Sequence, residues 1–359
     1  MQQPAPPFSL TFSPQLPELM FKLGITLAVS TYQAGKVIMI SPRDQEYLVQ
    51  LPRTFSKAMG IAVHPNGRKL AVATKDEVIV FANSPQLAAH YPTKPNTYDA
   101  LFMPRATYHT GALDIHDLDW GSTEGGDTLY AVNTAFSCII KIDDNYSFTP
   151  VWKPPFISKL ASEDRCHLNG MAMQNGKPKY VSAFNTGDTH QSWRKEVTTG
   201  GILMDVVQNE LVAQNLPMPH SPRLIDGNLL VLFSATGELV RINIENGSYD
   251  VITQLDGFVR GMDVYGDYAF IGLSRLRKNS STFAKLKIAD RANQAGISVV
   301  HLPTGARLGE INYLSSVDEI YDVQVLPNMT RPNILNTLKP DYKLGLDTPE
   351  ATFWAIPQS

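Results

Sequence analysis

Cysteine is nearly absent from this 359-residue chain, which has only Cys138 and Cys166. Two thiols cannot supply a disulfide framework, and their spacing is not that of a CxxC redox or zinc pair. A reducing cytoplasm is therefore the expected compartment. An excess of one charge sign is also missing: 31 Lys and Arg stand against 34 Asp and Glu, for a formal net charge of −3. The signs are interspersed and no basic stripe exists to grip a phosphate backbone, so nucleic acid is not an expected partner. The sequence has no apolar run of the roughly 18 residues that a membrane helix requires. Nor does the opening MQQPAPPFSLTFSPQLPELMF place an apolar stretch after a basic one, as a secretion signal would. Membrane spanning and export are both unexpected.

What the chain does have is 43 % hydrophobic residues and a repeat. A length of this order suggests two domains unless a repeat architecture absorbs it. A short apolar strand, approached through a polar residue, recurs as KAMGIAV (57–63), DIHDLDW (114–120), HLNGMAM (167–173), MPHSPRLI (218–225), FVRGMDV (258–264) and EIYDVQV (319–325). After most copies come a turn and a second strand, as in HPNGRKLAVAT, QNGKPKYVSAF and DGNLLVLFS; Asn-Gly and Asp-Gly beside β-rich runs signal hairpins. Third and fourth strands follow, for instance GELVRINI with SYDVITQL.

The pattern predicts an all-β, six-bladed β-propeller of four-stranded antiparallel blades. The sixth copy is followed by LPNMTRPNILNTLKP, which reads as loop, while ITLAVST, KVIMISP and EYLVQLP near the N-terminus have no inner strand of their own. These N-terminal strands are expected to complete the last blade and remove its open edges. The expected organisation is an extension at 1–24, the propeller at 25–332 and a tail packed on it at 333–359. Insertions are expected at 83–112, 185–199 and 274–295.

In a propeller the innermost strands line a central channel, so equivalent positions converge. Aligning the copies puts Met59, His116, Asn169, His220, Arg260 and Tyr321 at one level, with Lys57, Asp114, His167, Met218, Phe258 and Glu319 two residues earlier. His116, His167, His220 and Glu319 are the donor types that hold Zn, Mn, Fe or Cu, so a divalent transition metal is the expected cofactor. In that scheme Glu319, Arg260 and His220 are the catalytic candidates. Asn169, Arg165, Arg275 and Tyr321 are candidate binders of a small polar or anionic substrate, with Arg277 beside them. The alternatives are group transfer through a metal-free histidine and a non-catalytic interaction module. Asp114 and Asp117 flank His116 as candidate orienting groups. His64, His90 and His301 are expected in turns or outer strands, and His109 and His190 in inserted loops. Cys166 beside His167 is expected to be a buried structural thiol, because neighbours on a strand point to opposite faces.

STYQAGKV, HDLDW, NTAFSCI, PPFIS, EDRCHLNGMAM, MPHSPR, RGMDV, FIGLSRLR and EIYDVQVLP together resemble a family of uncharacterised, conserved-hypothetical bacterial proteins with an expected propeller fold. Some of its members carry tetratricopeptide-repeat or sulfotransferase segments. The resemblance runs from about residue 25 to about residue 332 and brings no activity with it. His167, Asn169, His220 and Arg260 are also similar in kind to the channel residues of arylsulfate sulfotransferase propellers, which pass a sulfuryl group through a histidine. Propeller lactonases and lyases offer the other precedent, a metal at the channel mouth.

Overall fold

The structure is a computed structural model that describes residues 5–276, 283, 286 and 288–355. Its six main sheets each contain a four-stranded antiparallel meander, and together they form the expected six-bladed propeller. Counted by inner strand, the first blade runs Ile61–Val63, Lys69–Ala73, Glu77–Asn83 and Ala100–His109. The second is Ile115–Thr123, Gly126–Asn133, Cys138–Lys141 and Thr149–Trp152, and the third Gly170–Gln174, Lys177–Ala183, Gly201–Asp205 and Glu210–Leu216. The fourth is Pro219–Ile225, Asn228–Phe233, Glu238–Ile242 and Tyr249–Gln254, and the fifth Phe258–Tyr265, Tyr268–Ser274, Ala295–His301 and Ala306–Tyr313. The sixth joins the ends of the chain: inner strand Asp322–Pro327 pairs with Ile25–Thr31, and Lys36–Pro42 and Leu48–Thr54 follow outward. Ile25 lies opposite Pro327 and Ser30 opposite Asp322, so the N-terminal strands close the ring.

The hairpins follow from local chemistry. Asn175-Gly176 and Asp226-Gly227 have positive φ at both residues, the type I′ geometry whose twist matches the flanking strands. Both faces of each inner blade are covered by neighbours, so alternate residues feed two different cores. In Asn228–Phe233, Leu229, Val231 and Phe233 pack against the third blade, while Leu230 and Leu232 pack against the fifth. The apolar core is thus divided among the gaps between blades rather than gathered in one centre.

Two stretches differ from expectation. Residues 83–112, expected as an insertion, contain the helix Pro85–Ala89 and then the fourth strand of the first blade, Ala100–His109. Pro104 inside that strand obscures it; the edge position and a break in register opposite it accommodate the missing N–H. The run after residue 327, expected as loop, includes Pro332–Ile334, which adds in parallel to Ala100–Phe102. At the other end of the chain, Leu10–Phe12 adds to Ile311–Tyr313 of the fifth blade, and the helix Gln15–Leu23 buries Leu16 and Met20 between the fifth and sixth blades.

The inner strands are locked by an alternating belt. Three joints are hydrogen-bonded: Asp117 accepts the Met171 N–H at 3.0 Å, Ser221 accepts that of Gly261 at 3.0 Å and Asp322 accepts that of Ile61 at 2.8 Å. At the joints between them, glycine lets backbones meet. A Cβ on Gly60 would lie 3.2 Å from the Asp117 Cα, one on Gly170 3.1 Å from the Ser221 nitrogen, and one on Gly261 2.5 Å from the Asp322 Cα. Arg223 spans the belt, donating to the Met262 and Met171 carbonyls at 3.0 and 3.2 Å and to Asp117 at 3.1 Å.

Candidate functional site

Where the chain enters its inner strands, the first four blades use one device. Lys57, Asp114, His167 and Met218 are all left-handed, with φ of 48°, 54°, 52° and 59°. The last three turns aim the side chain two residues on back at their own carbonyl. His116 Nδ1 lies 2.9 Å from the Asp114 carbonyl, Asn169 Nδ2 3.2 Å from that of His167, and His220 Nδ1 3.3 Å from that of Met218. A carbonyl only accepts, so His116 carries its hydrogen on Nδ1. His220 Nδ1 also lies 2.7 Å from Ser234 Oγ, whose own hydrogen goes to the Val259 carbonyl, so Ser234 accepts there too.

Burial holds both imidazoles well below the ordinary histidine range, and the Arg260 charge and the neighbouring His167 push the same way. Neutral rings with Nδ1–H engaged keep their lone pair on Nε2. The His116 side chain is 6 % exposed and His220 3 %. His167 reaches the same tautomer differently: its Nδ1 lies 3.0 and 3.1 Å from the two Asp164 oxygens, and Asp164 Oδ2 also accepts from Trp193 Nε1 at 2.9 Å. Phe184 and Trp193 hold the His167 ring, at centroid distances of 4.6 and 4.3 Å.

His116, His167 and His220 line one pocket of about 580 Å³ at the channel mouth, with Arg260, Arg275, Glu319 and Tyr321. The His116 and His167 rings are perpendicular at 4.9 Å. Phe184 touches both of the other two, its ring 4.6 Å from His167 and 5.1 Å from His220. Among the described residues, no group of three or more His, Cys, Asp or Glu is placed to hold a metal ion.

Next to His116, whose ring lies 5.6 Å from that of Tyr321, the Arg260 guanidinium sits 3.5 Å over the Tyr321 ring, and Tyr32 stacks on that ring at 6.0 Å. Among the described residues, Arg260 Nη2 and the Tyr321 hydroxyl are both buried without a hydrogen-bond partner. Burial drives the phenol pKa well up, so Tyr321 remains an O–H donor. Two buried donors without an acceptor, lining one pocket beside the Glu319 carboxylate, are an arrangement that can receive an oxyanion.

The remaining candidates divide. Arg275 lines the mouth, paired with Asp318 at 3.1 Å. Arg165 is not part of the pocket: Glu163 at 2.8 Å and Asp188 at 2.6 Å clamp it. Asn169 is used by the scaffold, accepting from Ser182 Oγ at 2.7 Å while its amide nitrogen holds the His167 carbonyl. Asp117 belongs to the belt, whereas Asp114 anchors His116 through its carbonyl. His109 pairs with Glu77 and His64 with Asp127, away from the channel mouth. Cys166 is buried and its thiol is pushed up to about 12 by burial, as suits a structural residue. Arg277 lies outside the described residues. Asp164 and Phe184 escape sequence reasoning; the signal for Asp164 is its place three residues before His167 in EDRCH.

A family model described as "Domain of unknown function (DUF4915)" matches residues 14–335, which include every residue lining this pocket. No curated protein matches the sequence. Among solved structures, a chain of the "Crystal structure of Nidogen/Laminin Complex" is similar, with a TM-score of 0.54 and 10 % identity, covering 85 % of this chain and 99 % of that one. At that identity the likeness extends to the fold alone.

Proposed function

The chain belongs to the DUF4915 family, and we propose that it is an enzyme acting on a small anionic substrate at its channel mouth, without a metal. The observation that carries this reading is the pair of buried, unsatisfied donors, Arg260 Nη2 and the Tyr321 hydroxyl, in the pocket that holds three histidines. An oxyanion between them satisfies both donors and places the rest of the substrate against Phe184, Trp193 and Phe258.

His167 is the reacting group in this scheme. Asp164 orients it and stabilises the imidazolium that forms when Nε2 takes a proton, or the equivalent charge when Nε2 accepts a transferred group. His116 and His220, held neutral, accept hydrogen bonds from the substrate without repelling Arg260. A divalent-metal version requires three Nε2 atoms to share one ion, and among the described residues no group of three such donors is drawn together. We place the protein in the cytoplasm, where its two buried free thiols stay reduced.

Calorimetric titration with phenyl phosphate tests the site. Saturable binding is expected, weakened at least about tenfold in Arg260→Met, since a hydrogen bond to a charged group contributes about 1.5–3 kcal/mol. Binding unchanged in that variant overturns the proposal. Stoichiometric metal in protein purified without an affinity tag supports the metal version instead.

A further inference from the structure

A second pocket lies on the outer rim of the first blade, far in the fold from the channel. It encloses about 420 Å³ and is lined by Tyr91, Pro92, Thr93, Asp341, Leu344, Trp354 and Ala355. The C-terminal segment builds most of it. The 3₁₀ turn Pro340–Lys343 brings Asp341, and the hairpin of Gly345–Asp347 with Thr352–Trp354 brings Trp354. Asp341, Leu344, Trp354 and Ala355 all lie beyond the residues that the family model matches.

The Tyr91 and Trp354 rings meet at 89° with centroids 5.3 Å apart, and Tyr98 backs Tyr91 at 90° and 5.4 Å. Trp354 is fixed: its Nε1 donates to the Leu87 carbonyl at 3.1 Å, and its ring rests against Gly345, where an added Cβ would lie 3.3 Å from Cζ3. Aromatic faces carry negative potential, and rings locked at right angles surround a cation on more than one side without an ordering cost when it binds.

The second observation is independent of the rings. Asp341 is half-buried and forms no ion pair among the described residues, although Lys339 and Lys343 are its near neighbours in sequence. Burial raises the Tyr91 phenol pKa, and the Asp341 charge adds to that while Arg53 opposes it. A carboxylate and two aromatic walls with no cation between them are complementary to one. The other walls, Pro92, Thr93, Leu344 and Ala355, offer one side-chain hydroxyl among methylene and methyl groups rather than the several acceptors that a primary ammonium needs. We propose that this pocket is an aromatic cage for a methylated ammonium group, with Tyr91 and Trp354 as its cation–π walls and Asp341 as its counter-charge.

The test is calorimetric titration of the full chain with tetramethylammonium chloride, with sodium chloride as blank and tert-butanol as a neutral molecule of similar shape. Saturable tetramethylammonium binding is expected, with tert-butanol at least about tenfold weaker, as removal of one desolvated cation–π contact implies. Trp354→Ala and Asp341→Asn, each confirmed as folded by circular dichroism, should each lose affinity by a similar factor, while Trp354→Phe retains part of it. Equal binding of tert-butanol, retention of affinity in both variants, or no saturation in the wild type overturns the cage. Arg260→Met, which alters only the channel, should bind tetramethylammonium as the wild type does.

Discussion

Arg260→Met separates function from stability in a way an ordinary structural arginine would not. Three terms set its magnitude. Methionine removes a buried, unsatisfied Nη2, a relief of about 1–3 kcal/mol. It also removes the cation–π contact at 3.5 Å on Tyr321, a loss of about 0.5–2 kcal/mol. The thioether regains about 0.3–1.5 kcal/mol by packing on the same ring. The expected net change runs from a loss of about 1 kcal/mol to a gain of about 4 kcal/mol, which is a shift in Tm of a few degrees for a chain this long. Because the Arg260 charge helps hold His116 and His220 below the ordinary histidine range, both should titrate at higher pH in the variant. Thermal unfolding followed by circular dichroism reads the first effect, and side-chain ¹⁵N spectra of histidine the second. Destabilisation by more than about 2 kcal/mol, outside the range these terms allow, would refute the reasoning by showing that Arg260 is a structural tie.

Other perturbations have definite outcomes. Gly170→Ala drives a Cβ to 2.4 Å from Pro222 Cδ and 3.1 Å from the Ser221 nitrogen, and overpacking of this kind should cost about 1–3 kcal/mol in denaturant melts. Burial lifts Asp119 to about 7 from an unfolded value of 3.8, so the folded state binds its proton more tightly. Its contribution to stability is therefore complete below about pH 4 and lost as pH rises through about 7; Asp119→Asn should match the wild type in acid and exceed it by a few kcal/mol above neutrality, at about 1.4 per pKa unit. Asp164→Asn removes the carboxylate that accepts from His167 Nδ1 and orients its ring, so modification of His167 by diethyl pyrocarbonate, followed by mass spectrometry, should slow about tenfold. Phenyl phosphate binding should persist in that variant.

Much of the architecture is legible in the sequence because a propeller repeats its unit. The inner strands, the Asn-Gly and Asp-Gly hairpins and the closing role of residues 25–51 all follow from aligned copies. Strand Ala100–His109 does not, because Pro104 and the preceding helix break its pattern. One column of the alignment puts His116, His220, Arg260 and Tyr321 at the pocket. The next column, Gly60, Asp117, Gly170, Ser221, Gly261 and Asp322, contains the belt in plain alternation, but only the coordinates reveal that its carboxylates and hydroxyl face backbone amides. Asn169 shares the histidines' column and is used by Ser182, a partner that spacing along the chain does not indicate. Arg165 is likewise a loop cation whose partners, Glu163 and Asp188, emerge only on folding.

The most direct test of the channel-mouth site is a crystal structure of the protein grown with phenyl phosphate. Phosphate oxygens are expected within hydrogen-bonding distance of Arg260 Nη2 and the Tyr321 hydroxyl, with the phenyl ring against Phe184 and Trp193 and no metal ion among the histidines. Both donors bonded to protein groups with the ligand elsewhere, or a metal ion bound jointly by His116, His167 and His220, would contradict this expectation.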